Sequence, residues 1–177
     1  LTKTAYFDCF SGAAGDMIVA ACLDAGANED FLRSELAKLS LKEVKEIKIE
    51  KVNKNGIAAT SFLPELISHN HSHSHGHSHN RTLKEITDII NQAGLSDSVR
   101  QKAIEIFQHL GRAEAKVHGC SNDHIHFHEV GAADAIIDIV GACLAMETMG
   151  IEKTYCSALT LGNGTIKSAH GILPVPA

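Results

Sequence analysis

The stretch from Asp123 to Ala142, DHIHFHEVGAADAIIDIVGA, constrains the fold more than any other part of the chain. In its first half His124, His126 and His128 alternate with Ile125 and Phe127, so an extended backbone sends all the imidazoles to one face, where they can hold a metal. Glu129 follows directly, Gly131 breaks the strand, and a helix is predicted from Ala132 to Met149, apolar on nearly every side and therefore buried. Before Glu147 its only charges are Asp134 and Asp138, stacked on one face, with Gly141 and Ala145 extending the same stripe. An isolated buried carboxylate costs more than a fold can tolerate, so these two are expected to meet a cation, a bound metal or backbone donors. Taken singly, such residues are more often structural and satisfied by local hydrogen bonds. Their concentration in one strand and one helix is what points to function.

The chain has 177 residues, 44% of them hydrophobic, which suffices for one good core and predicts a single domain over 1–177. A formal net charge of -5 and the absence of Trp speak against a nucleic-acid partner, which would call for a basic stripe and stacking platforms. No segment is long and apolar enough to span a membrane, and the N-terminus lacks a basic region followed by an apolar core, so a cytoplasmic protein is expected. Cys9, Cys22, Cys120, Cys143 and Cys156 show no CxxC spacing and fit reduced thiols, Cys143 reading as core. The chain begins with Leu1 and stops inside the run Leu173 to Ala177, and we expect it to be the N-terminal part of a longer protein.

Thr4 to Phe10 reads as a buried strand ending in a glycine-containing turn, Ser11 to Gly15, before a helix that runs to Ala25. Strand, turn and helix N-terminus can together bind an anion, which makes Ser11, Gly12 and Gly15 candidates for a phosphate. The run FDCFSGAAGD lacks the spacing of the common phosphate loops, so a plain turn is an equal alternative. Asp8 at the strand end and Asp16 in the first turn of the helix are candidate catalytic carboxylates. As structural residues, Asp16 would complement the helix dipole and Asp8 would cap the turn. Asn28 is placed to cap a second helix with Phe31, Leu32, Leu36 and Leu39 inward. A hairpin follows, turning at Asn55-Gly56 and returning over Ile57 to Leu63, and is expected to extend the first sheet.

Residues 68–81 enclose HNHSHSHGHSH, in which His69, His71, His73, His75, His77 and His79 stand at every second position. With nothing apolar to bury, this is predicted to be a flexible, disordered loop whose imidazoles chelate divalent nickel, zinc or copper. Expression tags are contiguous and terminal, so a natural metal-capturing loop is the better reading. Beyond it, Thr82 and Glu85 form a capping box for a helix stopped by Gly94. The next helix, from Ser96 to Gly119, presents Val99, Ala103, Ile106, Leu110, Ala113 and Val117 as its core stripe, leaving His109 and His118 peripheral. Tyr155 to Leu159 reads as a last strand, and LGNGTIKSAHGILPVP as a loop around His170, a candidate ligand or acid/base group. The fold class is thus α/β: a mixed sheet of about five strands covered by about five helices.

DCFSGAAGDM near the start, HFHEVGAADAIIDIVG in the middle and LGNGTIKSAHGILPVPA at the end, with the histidine-rich run between the first two, resemble the LarC family. The resemblance spans essentially the whole chain. It implies a cyclometallase that inserts nickel(II) into pyridinium-3,5-bisthiocarboxylate mononucleotide, making the nickel-pincer nucleotide of lactate racemase with hydrolysis of CTP. It directs attention to Asp8, Ser11, Gly12, Gly15 and Asp16, then to His126, His128, Glu129, Asp134 and Asp138, then to His170. On this reading His126, His128, Asp134, Asp138 and His170 are metal ligands, and Glu129 or His128 removes the ring proton. Family members continue past PVPA into a region that carries CTP and its divalent cation. That region, in the same chain or a separate one, is the implied partner, and self-association stays open.

Two other classes compete. A nickel or zinc storage protein would need only the histidine-rich loop. A metal-dependent phosphohydrolase could use Asp8 as nucleophile, although Phe10 stands where the haloacid-dehalogenase pattern has a second Asp.

Overall fold

The computed structural model describes residues 2–67, 81–119, 125, 127, 131–168 and 171–175. Its elements run β1 (Thr4–Phe7), α1 (Gly15–Asp24), α2 (Glu29–Ala37), β2 (Val44–Lys54), β3 (Ile57–Leu66), α3 (Leu83–Gln92), α4 (Asp97–His118), α5 (Ala133–Thr148), β4 (Lys153–Cys156), β5 (Thr165–Ser168) and β6 (Gly171–Pro174). This is a mixed α/β chain with the expected five helices among the described residues.

Local sequence sets the helix ends. The Asn28 side chain accepts from the Phe31 N–H at 2.9 Å, Thr82 and Glu85 make the reciprocal capping box, and the Ser96 hydroxyl accepts from Val99 N–H at 3.2 Å. At the C-terminal end of α4, Gly119 adopts φ 64, the left-handed conformation that Gly takes without penalty.

α5 is the axle. Gly141, at its middle, lies where α1, α2 and β3 converge: a β-carbon there would stand 3.2 Å from Val19 Cγ2, 3.7 Å from Leu36 Cδ1 and 3.8 Å from Phe62 Cζ. The glycine lets three elements close on one helix. On the far side α3 and α4 pack around Phe107 and Phe127, whose rings meet edge to face at 6.3 Å. Ile125 and Phe127 are both buried, as the alternation with histidine requires.

The sheet differs from expectation. Among the described residues there are three two-stranded sheets instead of one of about five strands: β1–β4 parallel, β2–β3 antiparallel and β5–β6 antiparallel. The β2–β3 hairpin, with Asn55 and Gly56 both at positive φ as its turn demands, packs on α1 and α5 and does not extend the first sheet. β1 ends at Phe7, three residues early, because the chain turns back at Gly12, whose N–H donates to Cys9 O at 3.0 Å. β4 begins at Lys153 rather than Tyr155, and the expected loop after it contains the β5–β6 hairpin. Ile125 and Phe127 carry no strand assignment, and His124, His126 and His128 lie outside the described residues.

Two helix faces also turn out differently. α4 buries Val99, Ala103, Phe107, Gly111 and Ala115, a strict four-residue ladder, whereas Ile106, Ala113 and Val117 are exposed. Gly111 joins the ladder because Leu83 Cδ2 and Phe127 Cζ come within 3.3 and 3.6 Å of where its β-carbon would be. In α2, Leu32 and Leu36 are buried, but Phe31, beside the N-cap, stays exposed.

Candidate functional site

Asp138 stands where the first turn of α1 meets α5. The close approach depends on Gly15, since a β-carbon there would be 2.7 Å from the Asp138 β-carbon and 3.1 Å from its carbonyl carbon. Asp138 Oδ1 is buried without a hydrogen-bond partner, while the Asp16 N–H serves the carboxylate. Burial, then the negative charges of Asp16 and Asp134, push its pKa up from 3.8 to about 7, and the Asp16 amide offsets part of this. Near neutral pH the group is therefore poised between acid and base.

Its neighbours are wetter. Asp134 is exposed, with its Oδ1 accepting from the Ala135 N–H at 2.8 Å, and Asp138 is half-buried with only its Oδ1 enclosed, so the expectation of two buried carboxylates is not met. Position explains the difference: Asp134 lies in the first turn of α5, at the solvent end, and Asp138 one turn deeper. Asp16 is half-buried and accepts from the Met17 N–H at 2.8 Å. The structure thus brings Asp16, Asp134 and Asp138 into one electrostatic group, although among the described residues no three His, Cys, Asp or Glu side chains converge closely enough to hold a metal ion.

Asp8 and Ser11 are exposed on the turn between β1 and α1, and Gly12 adopts φ 82 beside Thr160 O. The helix N-terminus is less open to an anion than the sequence suggested. Ala14 provides no side-chain cap, the N–H groups of Asp16 and Met17 are taken by carboxylates, and that of Ile18 by Ala14 O. His126, His128, Glu129 and His170, and the six loop histidines His69, His71, His73, His75, His77 and His79, lie outside the described residues.

One helical turn beyond Asp138, Ala142 borders a cavity of about 540 Å³ between the inner face of β1–β4 and helices α4 and α5. Its lining is mostly apolar and includes Phe7, Ile18 and Met146; Lys102, Glu105 and His109 stand on the α4 side and Glu152 precedes β4. Such a volume suits a small organic molecule.

Arg81, expected to belong to the flexible loop 68–81, is mostly buried and is held against Phe127 and Gly131. Arg81 O accepts from the Phe127 N–H at 3.1 Å, and Arg81 Nη1 donates to Gly131 O at 2.8 Å. The same guanidinium pairs with Glu43. Arg81 belongs to no periodic pattern, so nothing in the sequence beyond its place after the histidine run could have marked it.

The model of the family described as nickel insertion protein matches residues 5–177. The chain belongs to that family. Relatives include a pyridinium-3,5-bisthiocarboxylic acid mononucleotide nickel insertion protein of Desulfitobacterium hafniense, 48% identical over 175 residues, or 99% of this chain and 41% of the relative. A protein of the same name from Staphylococcus epidermidis is 44% identical over 177 residues, covering 100% of this chain and 42% of the relative. A putative nickel insertion protein of Synechococcus elongatus is 46% identical over 176 residues, 99% of this chain and 42% of the relative. This member of the nickel insertion family therefore spans about two fifths of the length of these curated relatives. No solved structure matches it.

Proposed function

We propose that this chain is the nickel-handling part of a cyclometallase that inserts nickel(II) into pyridinium-3,5-bisthiocarboxylate mononucleotide, making the nickel-pincer cofactor of lactate racemase. The observation that carries the reading is Asp138, a half-buried carboxylate crowded by Asp16 and Asp134, in a chain whose relatives are named for this reaction. Divalent nickel is a substrate, and negative charge gathered at one place, together with imidazoles, selects it without binding it irreversibly. His126, His128, Asp134, Asp138 and His170 form the proposed ligand set. Glu129 or His128 takes the proton that leaves the ring carbon when the nickel-carbon bond forms, and Asp8 and Asp16 are the further catalytic carboxylates.

The cavity beside Ala142 is proposed to seat the pyridinium ring, with Lys102 and His109 toward the substrate's acidic groups and Ser11, Gly12 and Gly15 toward its phosphate. We assign CTP and its divalent cation to the additional polypeptide of the family, so that the 177-residue chain alone is inactive, and we place the protein in the cytoplasm. Among the described residues no helix is long and apolar enough to cross a membrane.

The test is cofactor formation from purified substrate, nickel and CTP, in a protein extended to the length of the relatives. Asp138→Asn, Asp134→Asn, His126→Ala and His128→Ala are each expected to lower it at least about 100-fold while the apo protein melts no earlier. A variant that melts early yet still inserts nickel would assign its residue a structural role. The alternating histidines of residues 69–79 favour a second, subsidiary reading as a nickel store. Deleting them should lower the number of nickel ions bound and leave turnover at saturating nickel nearly intact, because a flexible chelator raises supply without shaping a transition state.

A further inference from the structure

The β1–β4 sheet has an inner face and a bare one. Phe7, Thr154 and Cys156 look into the cavity toward α4 and α5, whereas Tyr6 and Tyr155, register partners across the sheet, are 67% and 58% exposed on the other side. Every residue of β4 is exposed, and among the described residues both outer edges of the pair are unpaired. Parallel sheets are ordinarily covered on both faces, and their strands are joined by crossover connections within one polypeptide.

The bare surface continues away from the sheet. Ser157 Oγ accepts from the Cys9 N–H at 2.8 Å, Thr160 O lies 3.7 Å from where a Gly12 β-carbon would be, and Val175 Cγ1 comes within 3.8 Å of the same point on Gly162. These contacts link the β1–α1 turn to the 157–164 segment and then to the β5–β6 hairpin, and along that path Phe10, Leu159, Leu161, Ile166 and Ile172 are exposed. A two-stranded hairpin standing alone is marginal in water, and among the described residues β5–β6 makes no extensive contact with another element. Monomeric surfaces seldom leave so much apolar area uncovered.

We propose that this surface, from Tyr6 and Tyr155 to Ile172, is the docking face for the polypeptide that the relatives carry outside the matched two fifths, which adds strands to β1–β4 and covers its outer face. The parallel pairing favours this occupant over a second copy of the chain, because a two-fold axis normal to the sheet would bring two β4 edges together antiparallel, whereas a crossover from the same polypeptide extends a parallel sheet. The proposal rests on the family reading above for the existence of that polypeptide, but not on its chemistry.

The test is amide hydrogen exchange without nickel or substrate. The 177-residue chain is compared with a chimera in which it replaces the matched part of the Desulfitobacterium hafniense relative, and the unaltered relative is compared with its own matched segment to remove the junction as a variable. Amides of 153–156, 165–168 and 171–174 are expected to exchange at least about tenfold more slowly in the long proteins, with α2 unchanged as reference. Tyr155→Asp or Ile172→Asp in the chimera should restore fast exchange there. Equal exchange in short and long proteins would overturn the proposal, as would protection in the 177-residue chain accompanied by sedimentation as a dimer that Tyr155→Asp dissociates. Docking without nickel insertion would remove only the proposed reaction, and insertion without protection only the docking face.

Discussion

Gly15 and Asp138 touch so closely that no side chain fits between them: a β-carbon on residue 15 would lie 2.7 Å from that of residue 138. The obstacle is backbone and Cβ, which cannot swing aside like the end of a flexible side chain. Gly15→Ala is therefore expected to destabilise the fold by about 1 to 3 kcal/mol, despite the better helix propensity of Ala. Urea denaturation would show it as a lower midpoint with an unchanged slope, and a midpoint at or above wild type would mean that the helices separate freely.

Asp138 gives stability a defined pH dependence. Its pKa in the folded protein is about 7, against an ordinary 3.8, so between these values the folded state keeps a proton that the unfolded chain has lost. This group's contribution falls as pH rises through that window and is constant on either side. Asp138→Asn should remove the slope and make the apo protein more stable than wild type at pH 8, on the order of 1 to 2 kcal/mol once solvent screening is allowed for. Parallel stability curves for the two proteins from pH 4.5 to 8 would contradict this.

Arg81 is mostly buried and holds both Gly131 O and Glu43. Arg81→Met keeps most of the stem but leaves a carbonyl and a carboxylate short of a donor, with an expected cost of about 1 to 3 kcal/mol. A double-mutant cycle with Glu43→Gln separates the ion pair from the bond to Gly131, and additivity of the two substitutions would mean that the pair contributes nothing.

The described thiols should differ sharply in reactivity. Cys156 is exposed, whereas Cys9, Cys22 and Cys143 are buried, with burial pushing Cys143 up to about 11 and Cys22 upward as well. Iodoacetamide at pH 8 followed by peptide mass spectrometry should find Cys156 alkylated on the order of 100-fold faster than Cys143. Comparable rates would show that the α5 core opens readily.

The helices were legible because their signals are local. Asn28, the Thr82–Glu85 box, Ser96 and Gly119 mark ends within a residue or two, and Asn55-Gly56 fixes the β2–β3 hairpin. The parallel pairing of Thr4–Phe7 with Lys153–Cys156 was not legible, since it joins segments far apart in sequence. The strands TIKS and GILP are too short to show an alternation, so β5 and β6 read as loop. In the site, Asp134 and Asp138 were recognisable as a pair on one helix, but their separation into a wet and a crowded carboxylate, and the approach of Asp16, depend on how α1 crosses α5. Spacing along one element cannot reveal a crossing between two.

Glu43 deals with both flanks of the histidine-rich run at once: its carbonyl accepts from the Ile67 N–H at 2.8 Å and its carboxylate takes the Arg81 guanidinium. Residues 67 and 81 are thereby fastened to the same residue, like the two posts of one gate. For a flexible insert between ends so fastened, each doubling of length costs about 0.6 kcal/mol of closure entropy. Adding or removing Ser-His repeats between residues 67 and 81 is therefore expected to change nickel capacity while leaving the urea midpoint nearly where it was.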